Sequence, residues 1–198
     1  MSLFVLIHQT ISILINSTFN FRSAVELHVG RVGKITDNVE QNFFLADSDE
    51  DKLQFLEHVL RRKQQSSHSK GGTIIFVNTR KRADFLCKHL VSMSIAATCM
   101  HGELVADERR ENLMLFAKGH CDVLVATAAF GRGLDLEFVK HVINFDFPHT
   151  MDEYAQQCGR TGRGGLMGEA TTIVPSMKAK HTSGLFFSEM YHRAVSSV

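Results

Sequence analysis

Two arginines three residues apart, Arg160 and Arg163, stand in the run Gln156-Gln157-Cys158-Gly159-Arg160-Thr161-Gly162-Arg163-Gly164-Gly165. Guanidinium groups on so bare a backbone can reach into a tight site and grip spread negative charge. A transferring phosphoryl group is the case where this matters most, since an arginine finger is worth about 10³–10⁵ in rate. The same residues also read as an arginine- and glycine-rich surface loop that touches RNA loosely or nothing at all. A second run, Thr127-Ala128-Ala129-Phe130-Gly131-Arg132-Gly133-Leu134-Asp135, has a threonine hydroxyl for phosphate and glycines, Gly133 among them, that let backbone approach a ligand. Arg132 suits phosphate and Asp135 suits ribose hydroxyls, although the two could simply pair with each other and fix the loop.

The elements that must position these runs follow from hydrophobic periodicity. Val39 to Ala46 predicts a strand. Asp47-Ser48-Asp49-Glu50-Asp51 supplies an N-cap and an acidic first turn for a helix through Lys63, with Leu53, Leu56, Val59 and Leu60 at helical spacing. Thr73 to Val77 is a buried strand, and Asn78-Thr79 caps a helix with Ala83, Leu86, Cys87 and Leu90 on one face. Then come a strand from Ile95 to Met100, a turn at His101-Gly102, and a helix from Ala106 to Lys118 ended by Gly119. Asp122 to Thr127 is a strand followed by a loop from Ala128 to Leu136. His141 to Phe145 is a strand left at Pro148, Met151 to Gln157 a helix, and Ala170 to Val174 a last strand with a helix after Pro175. Such alternation implies an α/β domain: a mostly parallel sheet with helices on both faces, binding ligands at the carboxyl ends of its strands. Asn78, Thr79 and Arg80, then His101 and Gly102, then Thr127 to Asp135, and the approach to Gly159–Arg163 all follow strands, so they are expected to collect along one edge.

Composition sets limits. The 198 residues suit one domain with tails, and 44% hydrophobic with 22% charged residues suits a globular core. A net charge of +1 gives no global field toward nucleic acid or membrane, so contacts with either must be local. Arg61-Arg62-Lys63 and Arg80-Lys81-Arg82 are candidates, with a solvated helix face as their ordinary meaning. Cys87, Cys99, Cys121 and Cys158 form no CxxC pair, which argues against a disulfide framework or zinc site and for a reducing compartment. With no acid-base cluster evident around any cysteine, a thiol nucleophile is not expected. Residues 1–21 lack any charged residue and hold broken apolar runs, too interrupted for a membrane span and without the basic start of a signal peptide.

In order along the chain, Ile74 to Thr79, His101-Gly102-Glu103 with Glu108-Arg109, Val125 to Asp135, and Tyr154 to Arg163 resemble motifs IV, IVa, V and VI of the DEAD-box RNA helicases. The resemblance covers roughly residues 25–175 and is to the second, C-terminal RecA-like domain of that superfamily 2 family. Val29-Gly30-Arg31-Val32-Gly33, Gly72 to Val77, Ala83-Asp84-Phe85-Leu86 and Lys140 to Asn144 are most similar to the Vasa-like branch. The resemblance implies a RecA-like domain at 25–175, preceded by an apolar extension at 1–24 that is not family-like and followed by a helical tail at 176–198.

It implies ATP with Mg2+ between two RecA-like domains, with Arg160 and Arg163 as fingers on the γ-phosphate. Asp135 would hold the ribose, and Arg132 with Gly133 would link the nucleotide to the interdomain face. Thr127, Gly102, Asn78, Thr79 and Arg80 would contact RNA phosphates and sugars, which gives affinity without base reading. No residue of this chain is assigned to a metal. The partners implied are RNA, a first RecA-like domain and ribonucleoprotein components, without a membrane. The expected location is the cytoplasm, in ribonucleoprotein or germ granules, with the nucleus left open.

The sequence departs from the family at motif VI. Gln156-Gln157-Cys158 stands where His-Arg-Ile is usual, losing a cation and an imidazole. Ala106 stands where the family has a glutamine. No GxxxxGK[ST] and no Asp-Glu-Ala-Asp box occur in the 198 residues, so this stretch alone is expected not to turn over ATP, and a fragment or a gene-model boundary is the expectation for its start. Two alternatives stand beside the helicase half: a non-catalytic RecA-like module that binds RNA or protein, and an unrelated α/β nucleotide-binding domain.

Overall fold

The structure, a computed structural model, describes Ile35 and residues 38–65, 71–131 and 136–175. The N-terminal extension, the helix expected after Pro175, and Arg132, Gly133 and Asp135 lie outside the described residues.

Eleven elements follow one another: β1 (Val39–Ala46), α1 (Asp49–Gln65), β2 (Gly72–Val77), α2 (Arg80–Ser92), β3 (Ala97–Met100), α3 (Ala106–Ala117), β4 (Val123–Thr127), α4 (Ala128–Gly131), β5 (Val139–Asn144), α5 (Met151–Cys158) and β6 (Gly168–Pro175). The strands form one six-stranded sheet in the order β1-β6-β5-β2-β4-β3. Every pairing is parallel, with Ile75 beside both Val125 and Ile143 at the centre. This is the RecA-like α/β fold expected. The alternation is also as expected, with one difference: the stretch after Thr127 begins as a helical turn, α4, because Ala128 and Ala129 favour helix and nothing breaks it before Gly131. The strand expected from Ile95 pairs only from Ala97, since Ile95 N and Ser94 N instead close the end of α2 through Leu90 O and Val91 O.

Side chains alternate across the pleat, so β2 feeds both cores. Ile75 and Val77 pack with Leu56 and Leu60 of α1 and with Ala83, Leu86 and Leu90 of α2. Ile74 and Phe76 pack on the opposite face with Phe116 of α3. Tyr154, Ala155 and Cys158 of α5 cover Val39, Ala170 and Val174 on that same side, toward the β1 edge. Each of the valine, leucine, isoleucine and phenylalanine side chains among these contributes about 1.5–3 kcal/mol by leaving water. The result is a sheet whose carboxyl edge carries the loops after β2, β3 and β4.

The caps are local chemistry. Asp51 N donates to Ser48 Oγ (3.1 Å) and Ser48 N to Asp51 Oδ2 (2.9 Å), a reciprocal capping box at the start of α1. Thr79 Oγ1 accepts from Arg82 N (3.2 Å) to start α2. Thr150 Oγ1 accepts from Glu153 N (3.1 Å), while Glu153 Oε2 accepts from His149 N (2.9 Å), starting α5.

Candidate nucleotide and nucleic-acid interface

A groove of about 670 Å³ runs along the carboxyl ends of β2, β3 and β4. Asn78 and Arg80 enter it from the β2–α2 junction, Gly102 from the turn after β3, and Thr127 with Ala128 and Ala129 from the end of β4. The far wall is the start of α5, with His149, Thr150, Asp152, Glu153 and Gln156. Three strand ends and one helix start therefore meet, and four of the five residues expected to face RNA share the space. Thr79 does not line this groove: its hydroxyl is spent capping α2.

The groove is not uniformly basic. Arg80 Nη1 lies 2.7 Å from Glu103 Oε1, and Asp152 and Glu153 are acidic. Attraction here must come from a few placed donors rather than from a field, as the net charge of +1 requires. The neighbouring run Arg80-Lys81-Arg82 is only partly a solvated face. Arg82 Nε lies 3.0 Å and Lys52 Nζ 3.3 Å from Asp146 Oδ1, and Arg82 also pairs with Asp49. Asp146 Oδ2 accepts from Asn78 N at 3.0 Å, and Asn78 Nδ2 donates to Phe147 O at 3.2 Å.

Asp146 thus pins the β2 exit to the β5 exit and sets where Asn78 sits. Sequence reasoning assigned Asp146 no role, since a lone aspartate after a strand has no distinguishing neighbour. The α5 wall was findable: Thr150-Met151-Asp152-Glu153 carries the capping-box spacing just before an apolar-faced helix.

Arg160 and Arg163 sit just past α5 in a compact turn, both half-buried. Arg160 Nε donates to Gln156 O at 3.1 Å and Arg163 Nε to Gly159 O at 2.9 Å, so each side chain is tied one turn back. Thr161 is buried and donates through Oγ1 to Val139 O at 2.9 Å, fastening the turn to β5. Gly162 has φ of +68°, and a Cβ there would lie 2.5 Å from Val39 Cγ2 and 3.2 Å from Asn38 O. A Cβ on Gly168 would collide with Thr161 Oγ1 and Gly162 N. The glycines therefore let the turn lie directly on the sheet, which fixes the origin of both arginines.

The arginine turn thus lies at the amino ends of β1 and β5, not on the carboxyl edge where it was expected beside Asn78, Gly102 and Thr127, because α5 carries the chain back across the sheet. The sequence pattern of the helicase conserved C-terminal domain matches residues 51–165, from α1 through the arginine turn. The chain belongs to that family. The helicase C-terminal domain described here is also similar to solved DEAD-box structures. Against S. cerevisiae Dbp5 bound to RNA and ADP BeF3, the TM-score is 0.70 at 25% identity, covering 89% of this chain and 44% of that one. Against the yeast DEAD-box splicing factor Prp28, the TM-score is 0.68 at 26% identity, covering 88% and 35%. Against E. coli SrmB bound to regulator of ribonuclease activity A, it is 0.63 at 30% identity, covering 78% and 85%. The domain spans less than half the length of the Dbp5 and Prp28 chains. By sequence and by fold it is a helicase C-terminal domain of the DEAD-box type.

The structure corrects one expectation about the cysteines. Cys99 does have an acid-base cluster around it: its Sγ is 3.9 Å from Asp84 Oδ1, which in turn is 2.8 Å from His101 Nε2. Sequence spacing hid this, because Asp84 lies on α2 while Cys99 and His101 lie on and after β3. Among the described residues no helix is long and apolar enough to cross a membrane.

Proposed function

We propose that this domain is the half of an ATP-dependent RNA helicase that closes over ATP and holds the RNA backbone. The observation that carries the reading is the meeting of Asn78, Arg80, Gly102 and Thr127 in one groove at the carboxyl ends of the strands, with α5 running from the wall of that groove back to the turn that carries Arg160 and Arg163. In the groove, the Thr127 hydroxyl, the Asn78 amide and the Gly102 backbone are small neutral groups that suit phosphate oxygens and ribose hydroxyls. Arg80 adds a charge once RNA phosphate competes with Glu103 for it.

For ATP, the described residues fit the polyphosphate end alone. The two guanidinium groups rise from a turn held rigid by Thr161 and Gly162, and rigid donors stabilise developing charge without reorganising. ATP supplies the phosphoryl group and its bound magnesium neutralises oxygens; no described residue of this domain is assigned to that ion, and Glu153 in the groove already accepts from His149 N and Gln157 Nε2. Arg132, Gly133 and Asp135 keep their expected roles toward nucleotide within this reading. The Vasa-like branch and a cytoplasmic ribonucleoprotein setting are also part of it, supported by the sequence runs quoted above.

The experiment mixes the 198-residue chain with a separately made first RecA-like domain, ATP, magnesium and single-stranded RNA, and follows phosphate release. RNA-dependent hydrolysis above that of the first domain alone is the expected result. One observation favours a second reading, a non-catalytic RNA- or protein-binding module: Gln157 is buried where the family's arginine is usual. RNA binding without any stimulation of hydrolysis would support that module instead.

A further inference from the structure

We propose that Asp84, Cys87, Cys99 and His101 form a binding site for one divalent zinc-like cation, clamping α2 to β3 beneath the His101–Gly102 turn. The four residues come as two short-range pairs from two packed elements. Asp84 and Cys87 are three apart on α2, which puts them on one helix face. Cys99 and His101 are two apart at the end of β3, which puts them on one strand face. The two faces look at each other.

The donor atoms are already gathered. Asp84 Oδ1, Cys99 Sγ and His101 Nε2 all lie within 4.8 Å of one another. Individual separations are 2.8 Å for Asp84 to His101 and 3.9 Å for Asp84 to Cys99. Neighbouring donors around a tetrahedral zinc stand about 3.3–3.8 Å apart, given its bond lengths to nitrogen and sulfur. The two separations from Asp84 bracket that range, each within about 0.5 Å of it. Cys87, one turn along α2 from Asp84 and packed on the same core cluster as Cys99, is the fourth donor. Two thiols, an imidazole and a carboxylate make a set that suits zinc over magnesium or calcium.

Two features bear on occupancy. His101 is 2% exposed and aims Nε2 into the cluster, while its Nδ1 is buried with no hydrogen-bond partner among the described residues. The Asp84 side chain is 42% exposed, which leaves a way in for an ion. On binding, both thiol protons leave to solvent and the imidazole stays neutral with its proton moved to Nδ1. That Nδ1–H finds no acceptor among the described residues, and a missing outer partner costs about 10–100-fold in affinity. The site should therefore bind zinc more weakly than a fully supported structural site does.

The test uses the full chain, reduced and stripped with chelator, titrated with Co2+ and then Zn2+. The expected result is one cobalt per chain, a thiolate-to-cobalt charge-transfer band with intense visible bands of tetrahedral cobalt, displacement by zinc, and proton release. Cys99→Ser should diminish the charge-transfer band and weaken binding by roughly 10-fold or more, and Asp84→Asn should weaken binding comparably. Metal-free unfolding curves of each variant show whether it folds, and Cys87→Ser offers a second, milder change at the half-buried fourth donor. Absence of a charge-transfer band in the wild-type chain overturns the proposal. So does a band that persists in the Cys87→Ser/Cys99→Ser double variant, which would put the metal elsewhere.

Discussion

Gln157 donates from Nε2 to Glu153 Oε1 at 3.2 Å, while its own Oε1 is buried with no hydrogen-bond partner among the described residues. The two residues are one helical turn apart at the groove wall, and Glu153 also accepts from His149 N. An arginine at 157, the family's usual residue, would bring a charge and only donors to that carboxylate. Gln157→Arg is expected to raise hydrolysis in the two-domain assay. Gln157→Leu, which removes the orphaned acceptor without adding charge, should leave the rate unchanged and stability within about 1 kcal/mol. A folded Gln157→Arg chain with an unaltered rate would show that this position does not limit coupling.

Gly162 anchors the arginine turn through a left-handed backbone pressed against Val39 and Asn38. Gly162→Ala meets both a disfavoured φ and a crowded Cβ, and should cost about 1–3 kcal/mol in chemical denaturation. Gly165, with φ of +77° and nothing near its Cβ, should lose less on the same change, because only the backbone term applies. Equal losses at the two positions would mean that close packing onto β1 is not what sets the turn.

Thr150→Ala removes the cap of α5, and the expected loss is about 1 kcal/mol in thermal or urea unfolding. Thr150→Ser should retain most of the stability. The groove wall is built on that cap, so RNA affinity should fall with Thr150→Ala as well.

His141 lies fully buried in β5, its Nε2 2.8 Å from Thr171 Oγ1 and 3.7 Å from Glu169 Oε1. Burial, and then the charge of Lys63, hold it well below its ordinary 6.5, even with a carboxylate nearby. The folded protein keeps this imidazole neutral while the unfolded chain protonates near 6.5. Its contribution is therefore complete above that pH and is lost as pH falls below it, by about 1.4 kcal/mol per pH unit until the folded group titrates. His141→Gln should flatten stability between pH 6.5 and 5. An unchanged acid slope in that variant would assign the slope to other groups.

Much of this was legible because it is local. The bounds of β1, the Ser48 and Thr79 caps and the buried face of α2 follow from periodicity and short-range hydrogen bonding alone. The shared edge of Asn78, Gly102 and Thr127 also followed, because parallel strands send every loop after a strand to the same side. What escaped was long-range. Asp146 joins Asn78 N, Lys52 and Arg82 across more than sixty residues, and no spacing announces it. The Asp84, Cys87, Cys99 and His101 cluster escaped for the same reason, since each half is unremarkable until α2 packs on β3. The helical start after Thr127 was missed because its glycines drew the reading toward a loop.

The most direct test of the central claim is phosphate release by the two-domain mixture with Arg160→Ala in this chain, at saturating RNA and ATP. The account predicts a fall of about 10³-fold, or to the level of the first domain alone, with unfolding and RNA binding unchanged. A rate equal to that of the unaltered chain would contradict it.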